Sequence, residues 1–127
     1  MSCLLLDTDI LINLLRGREA ARDFVARSLD EYDLLCSAIS VAEIWTGMKP
    51  HEEKATRQLL DCLRIIDVNR VIAEYAGAYK GSTKIHDLEL DDCLIAATAR
   101  AANAVLATGN GRHYPMKDIK KIVVKMS

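Results

Sequence analysis

Short apolar runs recur along the chain, at Cys3 to Leu6, Leu34 to Cys36, Ile65 to Ile66, Val105 to Ala107 and Ile122 to Val124. Each has the length of a buried strand, and none alternates with polar residues as a strand with a wetted face would. Between these runs the apolar period changes. Ala21, Phe24, Val25, Ser28 and Leu29, then Leu59, Leu60 and Leu63, then Val71, Ile72, Tyr75, Ala76 and Tyr79 fall three or four positions apart, as on one helix face. Helix-length connections between strands buried on both faces predict parallel pairing. The expected fold is therefore α/β, a three-layer α/β/α sandwich around a short, mainly parallel sheet.

The 127 residues suit a single domain spanning 1–127. No internal repeat, low-complexity tract or Gly/Ser-rich linker argues for a boundary. Gly17, Gly47, Gly81 and the Gly109-Asn110-Gly111 cluster read as helix ends or loops.

Composition narrows the function classes. Half the residues are hydrophobic and 28% are charged, which is a globular balance. Seventeen basic against eighteen acidic residues leave a net charge of -1, so any nucleic-acid contact must be local. The apolar runs fall far short of the roughly 20 residues of a membrane span, and no signal peptide precedes them. The four cysteines, at 3, 36, 62 and 93, form no CxxC pair and sit beside aliphatic residues. They are expected to be buried, reduced thiols of a cytoplasmic protein, without zinc.

In an open parallel sheet, ligands bind beyond the carboxyl ends of the strands, above all where strand order reverses. Acids at those ends are the candidates for chemistry. Asp7 follows the first strand in Leu-Leu-Leu-Asp7-Thr8-Asp9, where a helix N-cap is an equally good reading for Asp7, Thr8 or Asp9. Glu43 stands three residues after Ser40, a capping-box spacing, and the local pattern favours that structural role. Asp91 and Asp92 open an apolar helix, where the helix dipole favours acids whatever their function. Clustered carboxylates need cations, and hard oxygen ligands suit Mg²⁺ or Mn²⁺. The segment Thr108-Gly-Asn110-Gly-Arg-His113-Tyr114 adds small polar groups after the fourth strand; it is no phosphate-binding GxGxxG, because Tyr114 takes the place of the third glycine.

Taken in order, four blocks resemble the PIN domain of the VapC toxin type. Leu-Leu-Asp7-Thr8-Asp9-Ile-Leu-Ile is similar to LDTNVLI, and Ser37 to Ile44 is similar to an S-x-x-x-x-x-E-L block. Asp92-Cys-Leu-Ile-Ala-Ala-Thr-Ala99 resembles DALIAATA, and Thr108 to Tyr114 resembles T-x-N-x-x-D-F. The resemblance implies an acidic triad of Asp7, Glu43 and Asp92, choosing Asp92 over Asp91, with Asn110 orienting water or phosphate. It also implies a Mg²⁺-dependent endoribonuclease, with Mn²⁺ as a substitute, leaving 5′-phosphate and 3′-hydroxyl ends. An antitoxin protein and homodimerisation are implied as well. Two departures stand out: Asp9 replaces the commoner asparagine, and His113 replaces a frequent fourth acid.

Arg16, Arg18, Arg22, Arg27, Arg112, Lys117, Lys120, Lys121 and Lys125 are candidate local contacts for RNA phosphates, single-stranded RNA being favoured. Two other classes compete. A phosphoacceptor domain shares the size and patterning, but position 11 is Leu where the phosphatase DxDx[TV] motif has Thr or Val. A PIN-like module that binds RNA or a partner without cutting is kept open by His113.

Overall fold

The computed structural model describes residues 1–82 and 88–126. The apolar runs form a five-stranded, wholly parallel sheet: β1 (Ser2–Leu6), β2 (Tyr32–Ser37), β3 (Arg64–Ile66), β4 (Val105–Thr108) and β5 (Lys121–Val123), in the order β3-β2-β1-β4-β5. Among the described residues, six α-helices connect them: α1 (Thr8–Leu15), α2 (Glu19–Ser28), α3 (Ala38–Gly47), α4 (Glu53–Asp61), α5 (Arg70–Ser82) and α6 (Leu90–Ala101).

The pleat explains the three layers, because successive residues of a strand point to opposite faces. From β1, Leu4 and Leu6 pack with Ile10 and Leu11 of α1, while Phe24 and Val25 of α2 and Leu59 and Leu60 of α4 complete that side. Leu5 points the other way, toward Ile95, Ala96 and Ala99 of α6 and Tyr79 of α5. All three leucines are fully buried. Each contributes about 1.5–3 kcal/mol by leaving water, so the central strand is anchored from both faces.

The chain moves outward from β1 through β2 to β3, then crosses to the opposite side of β1 for β4. That reversal opens a crevice between the ends of β1 and β4, the expected ligand position for this architecture. Register brings the two ends together: Leu6 pairs with Ala107, and the Asp7 amide donates to the Ala107 carbonyl at 2.9 Å.

Three local expectations need correction. Ser37, not Ser40, caps α3, its hydroxyl accepting from the Ile39 amide at 3.1 Å, so Glu43 lies a turn and a half into the helix and closes no capping box with Ser40. Leu29 and Val71 are exposed rather than part of the apolar faces. Cys36 and Cys93 are buried and Cys3 half-buried, but Cys62, just past the end of α4, is exposed. Among the described residues no helix is long and apolar enough to cross a membrane.

Candidate active site

Asp7 is both a helix cap and the centre of a polar cluster. Its carboxylate caps α1, accepting from the Thr8 amide at 2.8 Å on Oδ1. The same oxygen accepts from the Tyr114 hydroxyl at 2.9 Å, and Oδ2 accepts from the Thr108 hydroxyl at 2.7 Å. Three donors therefore fix a side chain that is only 5% exposed. Capping α1 leaves the Asp7 carboxylate at the sheet edge, so the one role does not exclude the other.

Around Asp7, a cleft of about 400 Å³ is lined by Thr8, Asp9, Ile12, Glu43, Glu89, Asp91, Asp92, Asn110 and His113. The structure thus brings Asp7, Glu43, Asp92 and Asn110 to one crevice from α1, α3, α6 and the turn after β4. A larger groove of about 530 Å³ lies between α2 and β5, but its charges are mixed, with Asp23 and Glu31 beside Arg27 and Lys125. It offers no comparable gathering of acids.

Glu43 is held from the other side of the cleft. Thr8 Oγ1 lies 2.7 Å from Glu43 Oε1 and 2.8 Å from Ser40 Oγ. An ionised carboxylate only accepts, so the Thr8 proton goes to Glu43. Asp92 reaches the Tyr114 hydroxyl at 3.3 Å through Oδ1 and His113 Nδ1 at 3.4 Å through Oδ2. His113 therefore places a ring nitrogen beside Asp92 at the acidic cleft, where the resembling motif has an acid.

Asp9 ties the loop after β4 to α1. Its Oδ2 accepts from the Gly109 amide at 2.9 Å and from Asn110 Nδ2 at 3.1 Å, while Oδ1 is buried without a hydrogen-bond partner. Asn110 is held twice, since its amide also donates to Thr108 Oγ1 at 3.0 Å. Lys121, one of the basic residues considered for phosphate contact, instead gives its ammonium to the carbonyls of Gly111 and Tyr114, each at 2.9 Å. The largest omission of the sequence reading is the Tyr114 hydroxyl. Its signal was a tyrosine where the resembling motif has phenylalanine, since a buried phenol needs a partner.

The electrostatics are those of a site short of positive charge. Burial raises the pKa of Glu43, and Asp91, Asp7 and Asp92 raise it further against the opposing Thr8 hydrogen bond. Burial likewise raises Asp92, with His113 opposing and Asp7 reinforcing. Asp9 is pushed from 3.8 to about 6, first by burial and then by the Asp7 charge. A carboxyl whose pKa is higher folded than unfolded binds more protons in the folded chain, so stability falls as pH rises from about 4 to about 6 and stays reduced above. Asp9→Asn is expected to melt higher than the parent at pH 7, with the advantage vanishing below pH ~4. Thermal unfolding of both proteins across that range checks this; a difference independent of pH would contradict it.

A cation fits the chemistry of these donors. They are hard carboxylate oxygens, they repel one another, and one buried oxygen of Asp9 is unsatisfied. Among the described residues no three His, Cys, Asp or Glu side chains already stand in a metal-binding arrangement. Protein hydroxyls and amides contact the other acid oxygens instead, and Asp7 and Asp92 share one hydroxyl, that of Tyr114.

The sequence model of the PIN domain family matches residues 4–120. Ribonuclease VapC10 of Mycobacterium tuberculosis is 38% identical over 115 residues, spanning 89% of this chain and 86% of its own. Among solved structures, a toxin-antitoxin complex from Klebsiella pneumoniae aligns with a TM-score of 0.76 at 31% identity, covering 91% of this chain and 94% of the other. VapBC-1 from nontypeable Haemophilus influenzae aligns with a TM-score of 0.80 at 25% identity, covering 95% and 97%. The chain belongs to the PIN-domain family and, within it, to the VapC group.

Proposed function

We propose that the chain is a metal-dependent endoribonuclease acting as the toxin of a type II toxin-antitoxin pair. The observation that carries this reading is the meeting of Asp7, Glu43 and Asp92, from three distant parts of the sequence, in one cleft at the point where strand order reverses. A relative that bears the name ribonuclease and structural neighbours solved as toxin-antitoxin complexes support it.

Asp7 and Asp92 would hold Mg²⁺, or Mn²⁺ in its place, with Glu43 assisting. A divalent cation supplies Lewis acidity, stabilising charge on a phosphate and acidifying an attacking water. The chain's own groups do the rest. Thr8 orients Glu43, while Thr108 and Tyr114 orient Asp7. Asn110, fixed by Asp9 and Thr108, presents its remaining amide groups to a phosphate or water. RNA is the substrate, with single-stranded segments favoured because a duplex needs a dedicated reader of its grooves.

A groove of about 380 Å³ adjoins the cleft, sharing Ile12 and Glu43 with it and continuing along Leu15, Ile44 and Met48, with Arg16, His51 and Glu52 also in its lining. It suits a segment of an antitoxin that reaches the carboxylates and blocks them. A second reading, RNA binding without cleavage, is favoured by His113 standing at the cleft in place of a further acid.

One experiment separates the two. The purified chain, free of any partner, is expected to cut single-stranded RNA in Mg²⁺ or Mn²⁺, leaving 5′-phosphate ends, and to stop in EDTA. Cleavage indifferent to EDTA would overturn the metal mechanism; RNA binding without cleavage under all conditions would select the second reading.

A further inference from the structure

Among the described residues, Tyr114 is the bulkiest side chain with no exposure at all. Its ring packs in the cluster of Leu5, Ile95 and Leu106, a role phenylalanine would fill equally well. The hydroxyl is what phenylalanine would lack, and it lies 2.9 Å from Asp7 Oδ1 and 3.3 Å from Asp92 Oδ1. A phenol has one proton. Asp7 takes it at the shorter distance, with Asp92 in the weaker branch of a three-centre bond.

The backbone of Tyr114 is held as firmly as its ring. Its amide donates to the Gly111 carbonyl at 3.1 Å, and the Lys121 ammonium bridges the carbonyls of Gly111 and Tyr114. The hydroxyl is therefore a fixed point between two acids on different elements. It also decides which Asp7 oxygen stays available. Oδ1 is filled by Thr8 and Tyr114, whereas Oδ2 takes only Thr108 and keeps a lone pair.

We propose that Tyr114 is a positioning residue whose buried hydroxyl ties Asp7 to Asp92 and sets the carboxylate pair in the arrangement that receives a divalent cation. This rests on the metal-dependent reading above. A merely structural tyrosine would support the core and leave cation affinity alone.

The test is Mn²⁺ binding to the full chain by calorimetry, without RNA, for the parent, Tyr114→Phe and Asp7→Asn, with thermal unfolding of each. Tyr114→Phe is expected to bind Mn²⁺ about tenfold or more weakly, the usual loss when a group that orients a metal ligand is removed. Unchanged affinity in Tyr114→Phe, alongside weakened binding in Asp7→Asn, overturns the proposal and leaves the metal reading standing. A parent that binds no Mn²⁺, or binds it no better than Asp7→Asn, defeats both. A second measurement needs no variant. In parent protein carrying ¹³Cζ-tyrosine, the Tyr114 resonance is expected to move on adding Mg²⁺ while those of Tyr32, Tyr75 and Tyr79 stay; an unmoved Tyr114 resonance also overturns the proposal.

Discussion

Asp7→Asn is expected to lose at least about 100-fold in RNA cleavage, because cation chemistry is worth several kcal/mol and each tenfold corresponds to about 1.4 kcal/mol. The structure adds a cost that the motif alone does not reveal. Asp7 accepts from the Thr8 amide and from the hydroxyls of Thr108 and Tyr114, and asparagine keeps one acceptor oxygen while turning the other position into a donor. Losing a charged cap and one acceptor costs about 1–2 kcal/mol, partly offset by relief of the Asp7 charge on Asp9. Cleavage assays paired with thermal unfolding should show a large loss of turnover in a protein that still folds. An Asp7→Asn protein cutting as fast as the parent would remove Asp7 from the mechanism.

Gly109→Ala is expected to damage the site without touching an acid. A Cβ at Gly109 would lie 2.6 Å from Asp9 Oδ2 and 3.0 Å from Met126 Cγ. The methionine can swing aside, but Asp9 is short and accepts from the amide of the very residue that would gain the methyl group. Either Asp9 rotates away, releasing Gly109 and Asn110 together, or the backbone after β4 shifts with Thr108. Overpacking of this kind costs about 1–3 kcal/mol. Asp9→Ala in the same chain removes the clash, so the double variant should recover part of the lost stability. A Gly109→Ala protein as stable and active as the parent would show that the loop is not anchored this tightly.

These two positions mark where the sequence was legible and where it was not. The five strands follow from uninterrupted apolar runs, because a parallel sheet covered on both faces leaves no polar alternation to blur them. Asp7 was visible as the acid at the end of the first such run. Glu43 was open to misreading, because Ser37 and Ser40 both precede it at plausible capping positions and only the start of α3 decides between them. Lys121 looked like one exposed cation among many, yet it binds two carbonyls of a turn seven and ten residues away. The bonds from Asp9 to Gly109 and from Tyr114 to Asp7 join residues about a hundred positions apart, which no local pattern encodes. What was missed is the support that orients the acids, since it depends on which strand ends become neighbours.

That support also bears on the antitoxin. The groove along Leu15, Ile44 and Met48 shares Glu43 with the acidic cleft. A segment seated there would meet Glu43 and, through Thr8, Asp7, the cap of α1.

The most direct test of the central claim is diffraction from crystals soaked in Mn²⁺, recorded where manganese scatters anomalously. The account predicts a peak inside the cleft bounded by Asp7, Glu43 and Asp92, lost in Asp7→Asn crystals. Manganese bound only elsewhere on the chain, or a peak in the cleft that persists unchanged in Asp7→Asn, would contradict it.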